Sequence, residues 1–235
     1  MSAQPNLNCD FRHILKGICP ILNVGPETDV DSLLSWAVKL HQVGINLVQL
    51  RVKRITETAL PSIVDDLTLA LKGSGLAVIL NDFVELVPIT GADGVHLGLE
   101  DFPIPSARKF LGPEAIIGAT CRTLDQALPA LSQGASYIAA GSVFPSKTKP
   151  GLPIIGIEGL KYIVEGVKEV VPPNSPDPAW RLPVCAIGGI DIENLPLVYA
   201  AGARMVAVID AIQGRADPLA SAKALVEKWE QLERE

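Results

Sequence analysis

The chain has 235 residues, a formal net charge of -6, 48% hydrophobic residues and 20% charged ones. That much apolar surface excludes a disordered chain and suffices for one large core, and the length suits a single domain, since barrels of about 250 residues commonly form one. The acidic balance gives no general attraction for nucleic acid or an anionic membrane, so neither is expected as a partner, and any anion must be met by a local cluster of cations.

Short β-rich runs recur along the chain, each followed by a segment with helical spacing. GICPILNV from residue 17 precedes a helix over Ser32 to His41, NLVQL from 46 a helix over Leu60 to Leu71, and LAVIL from 76 a helix over Val84 to Ile89. GVHLG from 94 precedes Ser106 to Leu111, AIIGATC from 115 precedes Leu124 to Ser132, and YIAAGSV from 137 precedes Ile157 to Val167. LPVCAIGG from 182 precedes Ile192 to Ala200, and RMVAVID from 204 precedes Leu219 to Leu232. Strands that alternate with helices run parallel, and near-continuous apolar strands imply burial on both faces. Eight such units predict a (β/α)8 TIM barrel of the α/β class in one domain over 17–235, behind an N-terminal extension over 1–16. An open flavodoxin-like sheet is the alternative.

Gly-Ala pairs before strands, at Gly91, Gly134 and Gly202, supply the turn that ends a helix. The proline-rich stretch from Val171 to Trp180 reads as a loop ahead of the seventh strand, on the face away from the strand C-termini. Four cysteines, Cys9, Cys19, Cys121 and Cys185, stand far apart with no CxxC pair and read as reduced, packed thiols. The first residues lack the apolar core of a secretory signal, and no apolar run approaches the ~18 residues of a membrane span, so a cytoplasmic location is expected.

In a barrel the C-terminal ends of the strands build the functional face. There the second strand offers Gln49, Arg51 and Lys53 on one side by alternation, the third Asn81 and Asp82, the fourth Glu100 and Asp101, and the fifth Thr120 and Arg122. The sixth runs into Ser146, Thr148 and Lys149, the seventh ends at Gly188 and Gly189, and the eighth reaches Ile209 and Asp210. Two carboxylates from different strands, Asp82 and Asp101, suit Mg²⁺, which keeps several waters and bridges to substrate phosphates. Arg51, Lys53 and Lys149 supply complementary cations, and a Gly188-Gly189 turn lets backbone amides approach a phosphate. His96 lies in an apolar strand and reads as a hydrogen-bonded core residue, His13 and His41 as surface residues, and Asp65-Asp66 as a solvated helix face.

Taken in order, Gln49-x-Arg51-x-Lys53, Leu80-Asn81-Asp82, Gly94-Val95-His96-Leu97-Gly98-x-Glu100-Asp101, Gly141-x-Val143-Phe144-Pro145-Ser146-x-Thr148-Lys149 and Ile187-Gly188-Gly189-Ile190 resemble the motifs of thiamine phosphate synthases over about residues 17 to 230. The resemblance implies an Mg²⁺-dependent transferase that joins 4-amino-5-hydroxymethyl-2-methylpyrimidine diphosphate to 4-methyl-5-hydroxyethylthiazole phosphate, releasing pyrophosphate through a dissociative substitution. It implies that Arg51, Lys53 and Lys149 stabilise the departing diphosphate and that Asp82 and Asp101 hold the metal. It places Gln49 towards the pyrimidine, Asn81 and Thr120 towards the diphosphate, and Ser146, Thr148 and Gly188 on the thiazole side. Departures from the family pattern are Val52 for the usual Glu, an apolar Gly151 to Gly156 segment, and Asp210 where Ser often stands near the thiazole phosphate. With a carboxylate there, the backbone amides of Ile209 and Asp210 are left to meet that phosphate.

Three other readings share the barrel. A thiazole tautomerase would place a His where Arg122 stands, a phosphosugar isomerase would need an acid/base pair near the sugar carbons, and a non-catalytic barrel would only bind the precursors. Oligomeric state stays open between monomer and homo-oligomer.

Overall fold

The computed structural model describes residues 14–53, 60–146, 148, 150–169 and 183–235. The Val171 to Trp180 stretch, Lys149, His13 and Cys9 lie outside the described residues. Parallel strands close into a barrel in sequence order: β1 (Gly17–Val24), β2 (Leu47–Val52), β3 (Ala77–Asn81), β4 (Gly94–Leu97), β5 (Ile116–Cys121), β6 (Tyr137–Gly141), β7 (Val184–Ile187) and β8 (Met205–Val208). Closure is carried by β8 pairing with β1, Gly17 to Met205 through Pro20 to Val208, which an open sheet would leave as two edges. Around this wall run α1 (Val30–Gln42), α2 (Leu60–Gly73), α3 (Val87–Thr90), α4 (Ile104–Leu111), α5 (Leu124–Ser132), α6 (Gly156–Glu169), α7 (Leu195–Ala200) and α8 (Pro218–Arg234).

The helices form where the apolar spacing and caps direct them. In α1, Leu33, Ala37 and Leu40 are buried at helical spacing, and the Asp29 carboxylate accepts from the Ser32 amide at 2.8 Å. Asp217 does the same for α8, accepting from Ala220 N at 2.9 Å. The helix expected over Val84 to Ile89 is instead a 3-10 turn at Val84–Leu86 followed by the four-residue α3. Pro88 lacks the N–H that would bond back to residue 84 and join the two. Gly91, Gly134 and Gly202 all have positive φ, as the Gly-Ala turns require. No helix among the described residues is long and apolar enough to cross a membrane.

Alternation along each strand divides the core in two. Val48 and Leu50 of β2, Val78 and Leu80 of β3, and Ala119 and Cys121 of β5 pack outward against the helices. Leu47, Ile79, Ile116, Tyr137, Cys185 and Met205 pack inside the barrel, where Leu15 joins them from ahead of β1. Val52 packs with the outer set, on the side away from Arg51.

Register decides what meets inside. His96, Gly118 and Tyr137 stand side by side across β4, β5 and β6, and a Cβ on Gly118 would fall 2.1 Å from Tyr137 Cζ. The missing side chain of Gly118 therefore gives the tyrosine ring its path to His96, with ring centroids 5.7 Å apart. Gly118→Ala should lower stability by about 3 kcal/mol, at the upper end of the ordinary cost of overpacking, measured as a shift in urea midpoint. An unchanged midpoint would show that the ring is free to move aside.

Candidate active site

Each polar residue that the sequence places at strand C-termini and that the structure describes lies on one rim of the barrel, in two groups. The first spans β2 to β5. Gln49 is fully buried, Asn81 is 9% exposed, and Arg51 and Thr120 are half-buried, all at inward positions of their strands. Lys53, Asp82 and Asp101 are exposed just past the ends of β2, β3 and β4.

Short-range contacts position these side chains. Arg51 Nη1 donates to Asn23 Oδ1 at 3.2 Å, and Asn23 is itself held by its backbone N–H donating to Gln213 Oε1 at 3.0 Å. The cation of β2 is thus tied through β1 to the loop after β8. Lys53 N donates to Val24 O at 2.8 Å, which anchors the chain where it leaves β2.

The two carboxylates are presented differently. Asp82 has φ 72°, the sole positive φ among described non-glycine residues. Its N–H donates to His96 O at 3.0 Å, and its carbonyl accepts from Val84 N at 3.1 Å, so the backbone on both sides enforces a conformation that Asp tolerates better than most residues. Asp101 Oδ2 accepts from Gly98 N at 2.5 Å. A Cβ at Gly98 would approach that oxygen to 2.7 Å, so a side chain there would displace the carboxylate. Among the described residues no three His, Cys, Asp or Glu side chains gather to hold a metal alone.

Two buried acceptors in this group, Gln49 Oε1 and Asn81 Oδ1, have no hydrogen-bond partner. Leaving such atoms unsatisfied costs about 1–3 kcal/mol each, which a ligand with matching donors would recover. His96, 5% exposed, is hydrogen-bonded on both ring nitrogens, to Tyr137 Oη and Thr120 Oγ1, at 2.9 Å each.

The second group spans β6 to β8. Gly188 and Gly189 have φ 101° and 63°, and added Cβ atoms would lie 2.0 Å from Ser142 Oγ and 2.3 Å from Pro145 O. Packing against the chain after β6 therefore suffices to require both glycines, apart from any phosphate. Thr148 Oγ1 donates to Asp210 Oδ2 at 3.2 Å, so the β8 carboxylate is engaged by the loop after β6. Ser146 and Ile209 are half-buried, and the Ile209 carbonyl accepts from Ile212 N and Gln213 N.

Sequence reading missed Asn23 and Tyr137. Asn23 was open to detection as the last inward residue after Cys19 and Ile21 of β1, by the alternation that found Arg51. Tyr137 gives no such signal, because its role depends on strand register. His41 and Asp65-Asp66 are exposed, as expected.

Burial pushes the Cys19 and Cys121 thiols up to about 12, and raises Cys185 well above the ordinary thiol value for the same reason. A thiol at 12 is about one part in ten thousand thiolate at pH 8, so these side chains pack and do not attack.

A family model described as thiamine monophosphate synthase matches residues 20–212. A thiamine-phosphate synthase of Thioalkalivibrio sulfidiphilus is 39% identical over 204 residues, covering 86% of this chain and 90% of that one. One of Caldivirga maquilingensis is 36% identical over 189 residues, covering 80% and 85%. The solved structure of a thiamine phosphate pyrophosphorylase from Pyrococcus furiosus superposes with a TM-score of 0.74 at 30% identity, covering 94% of this chain and 98% of that one.

Two outcomes follow from the site geometry. Alkylation of the folded protein at pH 8, mapped by mass spectrometry, should leave Cys19, Cys121 and Cys185 unmodified until urea is added; rapid native labelling of any of them would contradict their packing. Asn23→Ala should weaken binding of inorganic pyrophosphate about three- to tenfold by calorimetry, the worth of one hydrogen bond that orients a cation. Unchanged affinity would show that Arg51 needs no such support.

Proposed function

The chain belongs to the thiamine monophosphate synthase family, and from that premise we propose that its β2 to β5 rim ionises a pyrimidine diphosphate. The activity is that of a thiamine-phosphate synthase, a transferase of thiamine biosynthesis. It condenses 4-amino-5-hydroxymethyl-2-methylpyrimidine diphosphate with 4-methyl-5-hydroxyethylthiazole phosphate to give thiamine phosphate and pyrophosphate.

In the dissociative course proposed, the bond from the pyrimidine methylene to the diphosphate oxygen breaks with both electrons leaving on pyrophosphate. The thiazole nitrogen then closes its lone pair onto the methylene carbon. Charge accumulates on the leaving group, so cations already in place stabilise the transition state more than the ground state. The observation that supports this reading is the meeting of Arg51 and Lys53, after β2, with Asp82 and Asp101, after β3 and β4, on one rim. Arg51, braced by Asn23, and Lys53 bind the diphosphate, with Lys149 as a third cation. Asn81, through its amide N–H, and Thr120 contact the same group, and Gln49 faces the pyrimidine.

Mg²⁺ fits the donor set: Asp82 and Asp101 are hard, exposed oxygen donors at neighbouring strand ends, too few to enclose an ion, which suits one that keeps waters and shares phosphate oxygens. Bound there, it would neutralise charge developing on the leaving pyrophosphate. On the other side, Ser146, Thr148 and the amides of Gly188, Gly189, Ile209 and Asp210 receive the thiazole phosphate. The Thr148 hydrogen bond draws the Asp210 carboxylate towards the β6 loop, which supports leaving that contact to backbone N–H groups.

Incubating the protein with both precursors should yield thiamine phosphate with Mg²⁺ and none after chelation. Asp82→Asn and Asp101→Asn should each lower kcat by about 10²-fold or more, the usual scale for losing a preorganised electrostatic group, with the fold intact by circular dichroism. Arg51→Ala should raise KM for the pyrimidine diphosphate more than for the thiazole phosphate. Wild-type rates in either Asp variant would remove the metal assignment, and the reverse KM order would exchange the two substrates' places.

A further inference from the structure

A single file of hydrogen bonds crosses the barrel interior beneath the rim. Gln49 Nε2 donates to Tyr137 Oη at 3.1 Å, Tyr137 Oη lies 2.9 Å from His96 Nδ1, and His96 Nε2 lies 2.9 Å from Thr120 Oγ1. Its ends are two residues placed above against the pyrimidine diphosphate. Its middle members are buried, Tyr137 fully and His96 at 5% exposure.

Counting protons gives the file a direction. Tyr137 has one hydroxyl proton and accepts from Gln49, so that proton goes to His96 Nδ1. A neutral imidazole that accepts at Nδ1 carries its hydrogen on Nε2 and donates it to Thr120. The Thr120 oxygen is then an acceptor inside the file, and its own proton is left for an outside acceptor. At the other end Gln49 Nε2 donates inward and Oε1 is left buried without a partner.

We propose that Tyr137 and His96 are positioning residues that fix Gln49 as a hydrogen-bond acceptor and Thr120 as a donor towards the bound pyrimidine diphosphate. The proposal rests on the reading above that these two residues face that substrate. A 4-aminopyrimidine carries the N–H that Oε1 lacks, and a diphosphate oxygen takes the Thr120 proton. Reversing the file would turn every member around, so that the threonine offered only lone pairs to an anion and Gln49 offered N–H to the amino group. Both contacts would then be repulsive. Gly118 makes the arrangement possible, because any side chain there would occupy the Tyr137 ring's place.

The direction is readable without mutation. Nitrogen-15 NMR of histidine-labelled protein at pH 8 should show His96 as the Nε2–H tautomer. In Tyr137→Phe, checked for folding by urea unfolding, the tautomer should become mixed. KM for the pyrimidine diphosphate should rise about tenfold, and KM for the thiazole phosphate should stay within about twofold, a split that a general loss of stability does not produce. An Nδ1–H tautomer in the unmodified protein overturns the proposal, as does a wild-type KM for the pyrimidine diphosphate in the Phe variant. Failure of the unmodified protein to make thiamine phosphate would count against the proposed function instead, and the tautomer would still decide the direction of the file.

Discussion

In-register parallel pairing around a closed circuit brings the site together. Because β8 returns to β1, every strand delivers its C-terminal end to the same rim. Because side chains alternate, every second residue near that end faces the same mouth. An acidic chain with a net charge of -6 can thereby concentrate Arg51 and Lys53 within one small region. Neither residue is adjacent in sequence to Asp82 or Asp101, and the parallel pairing of β2 with β3 and of β3 with β4 makes them neighbours.

Local contacts then set what each group can do. Arg51 is held through Asn23 by a residue from the far side of the circuit, Asp82 is turned by backbone bonds to its neighbours, and Asp101 leans on Gly98. A side chain held in place needs little reorganisation when charge moves, and preorganisation of this kind makes electrostatic catalysis effective. Beneath them the barrel interior is not uniformly apolar. The Gln49, Tyr137, His96 and Thr120 file is a continuous polar network, and such networks specify orientation once every member is satisfied. Gln49 Oε1 is the one atom of that file with no partner, and it lies at the end assigned to the substrate.

The fold was legible because parallel strands buried on both faces leave an apolar run in the sequence, and each of the eight expected runs holds a strand. Boundaries were less legible. The runs through Val143 and Gly189 overshoot β6 and β7, since composition does not reveal where ladder pairing stops and chain packing such as Phe144 N to Gly188 O begins. Inward-facing Arg51 followed from alternation within its own strand, and Thr120 from its place at the end of the fifth strand. Tyr137 did not, because its contact with His96 spans a glycine on the strand between them, and that juxtaposition exists only once the register is known. The Gly188-Gly189 signal had a physical cause that the sequence could not separate from phosphate binding, namely close packing on Ser142 and Pro145.

A crystal structure of the protein with Mg²⁺ and pyrophosphate tests most directly whether cations and a divalent ion surround one departing anion. The account requires a single metal about 2.0–2.1 Å from carboxylate oxygens of Asp82 and Asp101 and from a pyrophosphate oxygen, with Arg51 and Lys53 on the remaining phosphate oxygens. Pyrophosphate bound elsewhere on the barrel, or a metal held away from both carboxylates, would contradict it.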